Sequence, residues 1–241
     1  MQPHKIVSRD EWIQARKEHL KSEKEMSRMR DRLAAERQAL PWVKVEKDYV
    51  FDTPDGKKRL ADLFGENSQL VVYHFMWRWD LGQGCVSCSF LGDHFDGANI
   101  HLANHDVSFV AISRGKLEVI TAYKKRLGWK FPLISSYGND FNFDYGVSFT
   151  EEQLQGKVNY NYGEIDGKNA LNELPGLSVF YKDENGEVFH TYSSYARGLD
   201  ILLGAYNFLD MTPKGRNEKH NMSWIKRNDE YASGKEASCC A

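Results

Sequence analysis

Residues 69–75, "QLVVYHF", form an almost unbroken apolar run, the pattern of a strand covered on both faces. Just downstream the period changes. Cys88, Leu91, Phe95, Ala98 and Leu102 recur at steps of three and four, which predicts a helix with one apolar face. "DVSFVAIS" then predicts a strand, "KLEVITAYKKRL" a helix and "KFPLIS" a third short strand. Strand and helix alternate, the signature of βαβ units with parallel strands.

Either side of this core the pattern differs. Residues 8–40 predict one long charged helix. Ser8 and Glu11 make a capping-box pattern at its start and Pro41 closes it. Its apolar positions, Trp12, Ala15, Leu20, Met29 and Leu33, make only a thin stripe. The helix therefore reads either as solvated or as an arm laid on the domain or on a second subunit, which would make a homodimer. "VEKDYVFDTPDGKKRLADLF" predicts a strand, a Pro-Asp-Gly turn and a short helix. "LSVFYKDENGEVFHTY" predicts a hairpin around Asn185-Gly186, and "ARGLDILLGAYNFL" a last helix over the sheet. The Tyr- and Asn-rich stretch 137–172 suits a lid or a packing surface. The organisation expected is an arm (1–41), a main domain (42–212) and a loosely held C-terminal extension (213–241).

At 241 residues the chain can bury a substantial core. With 32 basic against 34 acidic residues, nothing in the charge points to a nucleic-acid or anionic-membrane partner. The N-terminal stretch carries charges where a signal peptide needs an apolar segment, and no apolar run approaches a membrane-spanning length. The expectation is a soluble, cytoplasmic protein. In a reducing cytosol, paired cysteines point to catalysis or metal binding before structural disulfides.

Four cysteines are present, two of them in "GCVSCSF". Cys85-Val86-Ser87-Cys88 falls where the buried strand hands over to the helix. Cys88 belongs to the apolar stripe and should face inward. Cys85 falls near the helix cap, where free backbone N–H groups favour a thiolate. That spacing suits dithiol exchange, with Cys85 attacking and Cys88 resolving. Two other readings of the pair stand beside it: half of a zinc site, or two small packed hydrophobes. Zinc would need two more ligands; the nearest histidines, His94, His101 and His105, lie farther along the same predicted helix, and neither His94 nor His101 is on the apolar stripe. Cys239 and Cys240, in "GKEASCCA", read as part of a frayed tail.

Strand, CxxC at a helix start, βαβ, then a proline before a hairpin and a last helix together resemble the thioredoxin fold. "YHFMW", "GCVSCSF", "KKRLGWKFPLISSYGNDFNFDYGVSF", "YARGLDILLGAYNFLDMTPKGR" and "MSWIKRNDEY" resemble a bacterial thioredoxin-like family of unassigned function, described as predicted dithiol–disulfide oxidoreductases. The resemblance implies an α/β fold, a central mixed sheet flanked by helices, with no cofactor and no metal. It maps the redox pair onto Cys85 and Cys88, and the thioredoxin proline, usually cis, onto Pro175. A cis proline there would expose backbone for a substrate chain to pair with. The buried acid of thioredoxin maps onto His74, which would take the proton from Cys88 or be a satisfied core histidine. Departures are Gly84 where thioredoxin has Trp, Val86-Ser87 inside the pair, and a longer loop from Met76 to Gly84. In that loop Trp79, Arg78 and Asp80 either shape a substrate cleft, or Trp77 and Trp79 cover the sheet edge.

The substrate implied is a protein or small-molecule thiol or disulfide. A thiol peroxidase acting through Cys85 is an alternative, since peroxiredoxins share the strand order. Their Pro-x-x-x-Thr-x-x-Cys pattern, however, has Arg78 and Gly82 here. A Cu(I)-binding protein on this scaffold is another, with Met76 and His190 as further ligands.

Overall fold

The computed structural model describes residues 4–231, so Cys239 and Cys240 lie outside the described residues. The chain forms two units, Met1–Trp42 and Val43–Ala241. The first carries helix α1, Arg9–Gln38. Ser8 caps it: the hydroxyl accepts the Glu11 N–H at 3.3 Å, and the Glu11 carboxylate accepts the Ser8 N–H at 3.0 Å. Both donors would otherwise be open in the first turn. No residue of α1 is buried, in keeping with its thin apolar stripe.

In chain order the second unit contains β1 (Val43–Lys44), β2 (Val50–Thr53), β3 (Gly56–Arg59), β4 (Gln69–His74), β5 (Trp77–Arg78), β6 (Gln83–Gly84), α2 (Val86–Gly92) and α3 (Phe95–Ala103). There follow β7 (Val107–Ser113), α4 (Leu117–Leu127), β8 (Leu133–Ser135), α5 (Phe141–Asp144), β9 (Lys157–Tyr160), β10 (Gly163–Asp166), β11 (Gly176–Lys182), β12 (Val188–Tyr195) and α6 (Gly204–Leu209). Among the described residues, eight strands make one sheet in the order β1-β12-β11-β4-β7-β8-β2-β3. β4, β7 and β8 run parallel, and β11 is antiparallel to β4 and to β12. The β4–helix–β7 crossover, with the β11–β12 hairpin on the other side of β4, is the thioredoxin-like α/β arrangement expected. β5/β6 and β9/β10 are separate two-stranded hairpins.

Because side chains alternate along a strand, β4 feeds two cores. Tyr73 and Phe75 join the cluster that holds Cys88, Leu91 and Phe95. Leu70 and Val72 join the opposite one, with Phe51, Phe141 and Phe180.

Several elements differ from the sequence reading. The helix expected from Cys88 to Leu102 breaks at Asp93-His94. Asp93 accepts the Trp129 indole N–H at 2.7 Å, and the His94 ring bridges the Phe90 carbonyl (2.8 Å) and the Ala205 N–H (3.1 Å). These tertiary bonds outweigh continuation, and Ala98 ends up exposed. "GKKR" is a further strand, β3, paired with β2, and the expected short helix follows it as a 3-10 turn, Leu60–Phe64. The last helix is a 3-10 run, Ala196–Leu202, followed by α6. Between them Leu203 leaves helical geometry (φ −89°, ψ 83°) and is 1% exposed, so its burial decides the break. In the β11–β12 turn only Gly186 takes a positive φ, while Asp183 holds a longer loop through its carboxylate. Between Pro213 and Tyr231 the extension packs on the domain. Trp224 packs edge-on against Phe90, Met222 and Ile225 cover the Cys88 cluster, and Arg227 is 4% exposed.

Candidate functional site

Cys85 is aimed by the hairpin before it. β4 ends at His74, and β5/β6 turns the chain back so that the Cys85 N–H donates to the Met76 carbonyl at 3.1 Å. The chain then enters α2 with Cys85 as its N-cap residue. Gly84 is required here, because a Cβ would lie 2.7 Å from the Phe75 ring and 2.6 Å from that of Tyr123. That close approach explains why no tryptophan can stand before the first cysteine. Cys85 is half-buried and Cys88 fully buried, both as free thiols.

The two sulfurs are driven in opposite directions. The Cys88 thiol, donating to the Cys85 sulfur, is the main cause that pulls the Cys85 thiol down to about 6. Burial opposes this, while the Cys88 and Ser87 N–H groups and the Arg78 guanidinium add to it. Burial is the main cause pushing Cys88 well above its ordinary value, and the neighbouring Cys85 adds to it. The Tyr73 hydroxyl and the Met76 backbone N–H act in the other sense, as donors to Cys88. Both directions favour a thiolate at Cys85 beside a protonated Cys88 at neutral pH.

Pro175 lines the same cleft as both cysteines. No described peptide bond is cis, so Pro175 follows a trans bond, the form X–Pro bonds favour unless the surroundings select otherwise. His74 is not beside the dithiol. It stacks on Phe141 and Tyr145 on the opposite face of the sheet and hydrogen-bonds Ser178 at 2.9 Å. Burial, with His190 nearby, lowers it to about 3, and it stays neutral. It is a buried core histidine: Nε2 meets Ser178, while Nδ1 has no hydrogen-bond partner among the described residues. Trp79 does not line the cleft. Its indole N–H donates to Glu173 at 2.8 Å, its ring leans on Tyr137, and Arg78 pairs with Asp80 at 2.6 Å. Trp77 is buried against Tyr123. His190 packs with Tyr145 and Phe180, again across the sheet from the sulfurs. Among the described residues, no group of three or more His, Cys, Asp or Glu side chains is placed to hold a metal ion.

Four further residues shape the site. Tyr73, one position before His74, is the β4 side chain on the cysteine face, as strand alternation requires. Glu173 is 2% exposed and anchors the loop before Cys85: its carboxylate accepts the Trp77 N–H (2.9 Å) and the Trp79 indole, with Arg114 at 4.0 Å. Burial raises its carboxyl. Arg227 donates to the Gly84 carbonyl (2.8 Å) and to the Tyr123 hydroxyl (2.6 Å). The Tyr160 hydroxyl donates to the Pro175 carbonyl (2.7 Å) and accepts the Ala196 N–H (3.0 Å). The cleft lined by Tyr73, both cysteines and Pro175 has a volume of about 300 Å³. A larger one, about 380 Å³, lies between Thr53 and Pro132, away from the cysteines.

The model of the family described as "Bacterial protein of unknown function (DUF899)" matches residues 1–231. The chain belongs to the DUF899 family. No curated protein matches it. Solved structures similar to this DUF899 member include peroxidoxin BcpB from Mycobacterium tuberculosis, 16% identical over 68% of this chain and 94% of that one, with a TM-score of 0.44. A peroxiredoxin Q structure from Xanthomonas campestris is 13% identical, covering 65% and 87%, TM-score 0.43. A putative thiol:disulfide interchange protein, DsbE, from Chlorobium tepidum is 13% identical, covering 69% and 100%, TM-score 0.41.

Proposed function

We propose that this DUF899 member is a dithiol–disulfide oxidoreductase working through Cys85 and Cys88. The reading is carried by the opposed displacement of the two thiols, one pulled down to about 6 and its neighbour pushed well up. The Cys85 thiolate attacks one sulfur of a substrate disulfide, forming a mixed disulfide and releasing the other half as a thiolate. Cys88 then gives its proton to a leaving thiolate and attacks the Cys85 sulfur, and the second half departs. Two substrate thiols and one protein disulfide result, so two electrons have passed to the substrate. As Cys88 deprotonates, the Tyr73 hydroxyl and the Met76 N–H already donate to its sulfur.

The peroxidase alternative lacks support at the two positions its pattern needs, since Arg78 and Gly82 stand for the proline and threonine. The metal alternative would require His190 to reach across the sheet.

An equilibrium titration in glutathione buffers, with alkylation of free thiols read by mass, tests the reading. One reversible two-electron transition confined to Cys85 and Cys88 is expected. A pair that never forms a disulfide at any buffer ratio overturns it.

A further inference from the structure

Thioredoxin-like proteins that act on polypeptides leave the backbone before their active-site proline open for pairing, a strand-addition mode of binding. In this molecule part of that backbone, including the Leu174 N–H, is already bonded. The Leu174 N–H donates to the Val147 carbonyl at 2.9 Å, and the Asn172 carbonyl accepts the Phe149 N–H at 3.0 Å, around an antiparallel bridge between Ser148 and Glu173. Pro175 has no N–H, and its carbonyl accepts the Tyr160 hydroxyl. From Gly176 onward the chain is an inner strand, bonded to β4 on one side and β12 on the other. The insertion 137–172 supplies the partners of the Leu174 N–H and of the Pro175 carbonyl, and pairs the Asn172 carbonyl. It is a packing surface laid over the edge a peptide would use.

What stays open beside the sulfurs is the 300 Å³ cleft, at the small end of ligand pockets. Its walls are mainly apolar side chains: Met76, Leu91, Leu171, Leu199, Leu203 and Met222. The charges at its rim are spent on each other, Arg197 pairing with Asp200 at 3.0 Å and Asp200 with Arg216 at 3.4 Å. Apart from Cys85, no charged side chain among the described residues that line it lacks an ion-pair partner.

We infer that the substrate is a small disulfide with apolar arms, held in this cleft with its sulfur against Cys85, and not an extended polypeptide. The inference rests on the dithiol reading above. The electron balance is that of the exchange already written, with the small disulfide as oxidant of the pre-reduced protein.

The test is anaerobic single-turnover oxidation of the reduced full chain by three probes: di-n-propyl disulfide, cystine and insulin. Each rate is divided by that of dithiothreitol with the same probe, which removes intrinsic reactivity. Di-n-propyl disulfide should exceed both others by tenfold or more. Leu171→Asp, at a wall position 42% exposed and so tolerant of change, should cut the propyl-to-cystine ratio to a third or less. Its Cys85 alkylation by iodoacetamide is followed alongside as the check on an intact thiolate. Insulin matching or outpacing the alkyl disulfide overturns the inference, as does a ratio that Leu171→Asp leaves unchanged. Equal normalised rates sink the substrate class and leave dithiol exchange standing. If none of the probes oxidises the pair, dithiol exchange itself falls and the inference with it.

Discussion

The guanidinium of Arg227 donates to the carbonyl of Gly84 at 2.8 Å, tying the C-terminal segment to the residue before Cys85. The same side chain donates to Tyr123 and pairs with Glu230, and it is 4% exposed. Arg227→Ala would leave the Gly84 carbonyl and the Tyr123 hydroxyl short of a buried partner. The expected cost is about 2–4 kcal/mol of unfolding free energy, since a buried group stripped of its charged partner carries its full desolvation penalty. Lysine cannot make both bonds from one nitrogen in the same geometry, so Arg227→Lys should recover less than half. Urea unfolding of the three proteins measures this. A loss below about 0.5 kcal/mol, the range of ordinary surface changes, would show that the segment is not anchored there.

The Cys85 thiol should titrate near 6. Because the thiolate is the nucleophile, its alkylation rate should climb through that pH and be flat by pH 8, where an ordinary thiol is still rising. The first cause of the shift is the hydrogen bond from Cys88, so Cys88→Ala should move the midpoint upward. Iodoacetamide rates between pH 4.5 and 9.5, with the modified residue identified by mass, decide the matter. A wild-type midpoint above 8 would mean that Cys85 is not activated.

Much of this was legible in the chain. The run around β4, the switch to a helical period at Cys88 and the strand–helix alternation after it each depend on neighbours within a few residues, and sequence carries that information well. The placement of Cys85 at a cap and Cys88 on the inner face followed from the same periodicity. Alignment with thioredoxin points to His74, whereas the β4 side chain on the cysteine face is Tyr73, and a shift of one residue in a strand moves a side chain to the other face. Glu173 and Arg227 left no local signal. Their partners, Trp77 and Gly84, lie 96 and 143 residues away, and only the folded sheet brings them together. The helix breaks at Asp93 and Leu203 have the same origin, since long-range bonds and burial overrode periodic patterns.

Burial of His74 should make the fold acid-sensitive. In the unfolded chain it takes up a proton near pH 6.5, whereas in the folded protein burial holds it neutral down to about 3. Between those values the unfolded state binds the extra proton, so stability falls as pH falls, by about 1.4 kcal/mol per pH unit from this group alone. Below about 3 the loss is complete, and above 6.5 there is none. The groups packed on it are Ser178, Phe141 and Tyr145, all neutral, with His190 beyond, itself lowered by burial and adding in the same direction. Comparing urea midpoints of the wild type and His74→Gln from pH 7 to 4 isolates the term. The variant should show the shallower decline, and parallel curves would remove His74 from the account. Its Cys85 alkylation profile should match the wild type, because the residue faces the other core.

Tyr73, by contrast, should act on the second half of the reaction. Its hydroxyl donates to the Cys88 sulfur, and burial keeps its own proton on, so it can hold the charge that develops when Cys88 becomes the attacking thiolate. One such bond is worth about 1 kcal/mol, or roughly fivefold in rate. Tyr73→Phe keeps the ring among Phe75 and Phe95 and removes only the donor. The first attack by Cys85 should therefore be little changed, while the mixed disulfide lives about five times longer before Cys88 displaces it. Acid-quenched samples, followed by mass over the course of one turnover, separate the two steps. Slowing of the first step alone would place Tyr73 in support of Cys85 instead. If neither rate moves, the hydrogen bond to Cys88 has no part in resolution, and the Met76 N–H is left as the donor that stabilises the Cys88 thiolate.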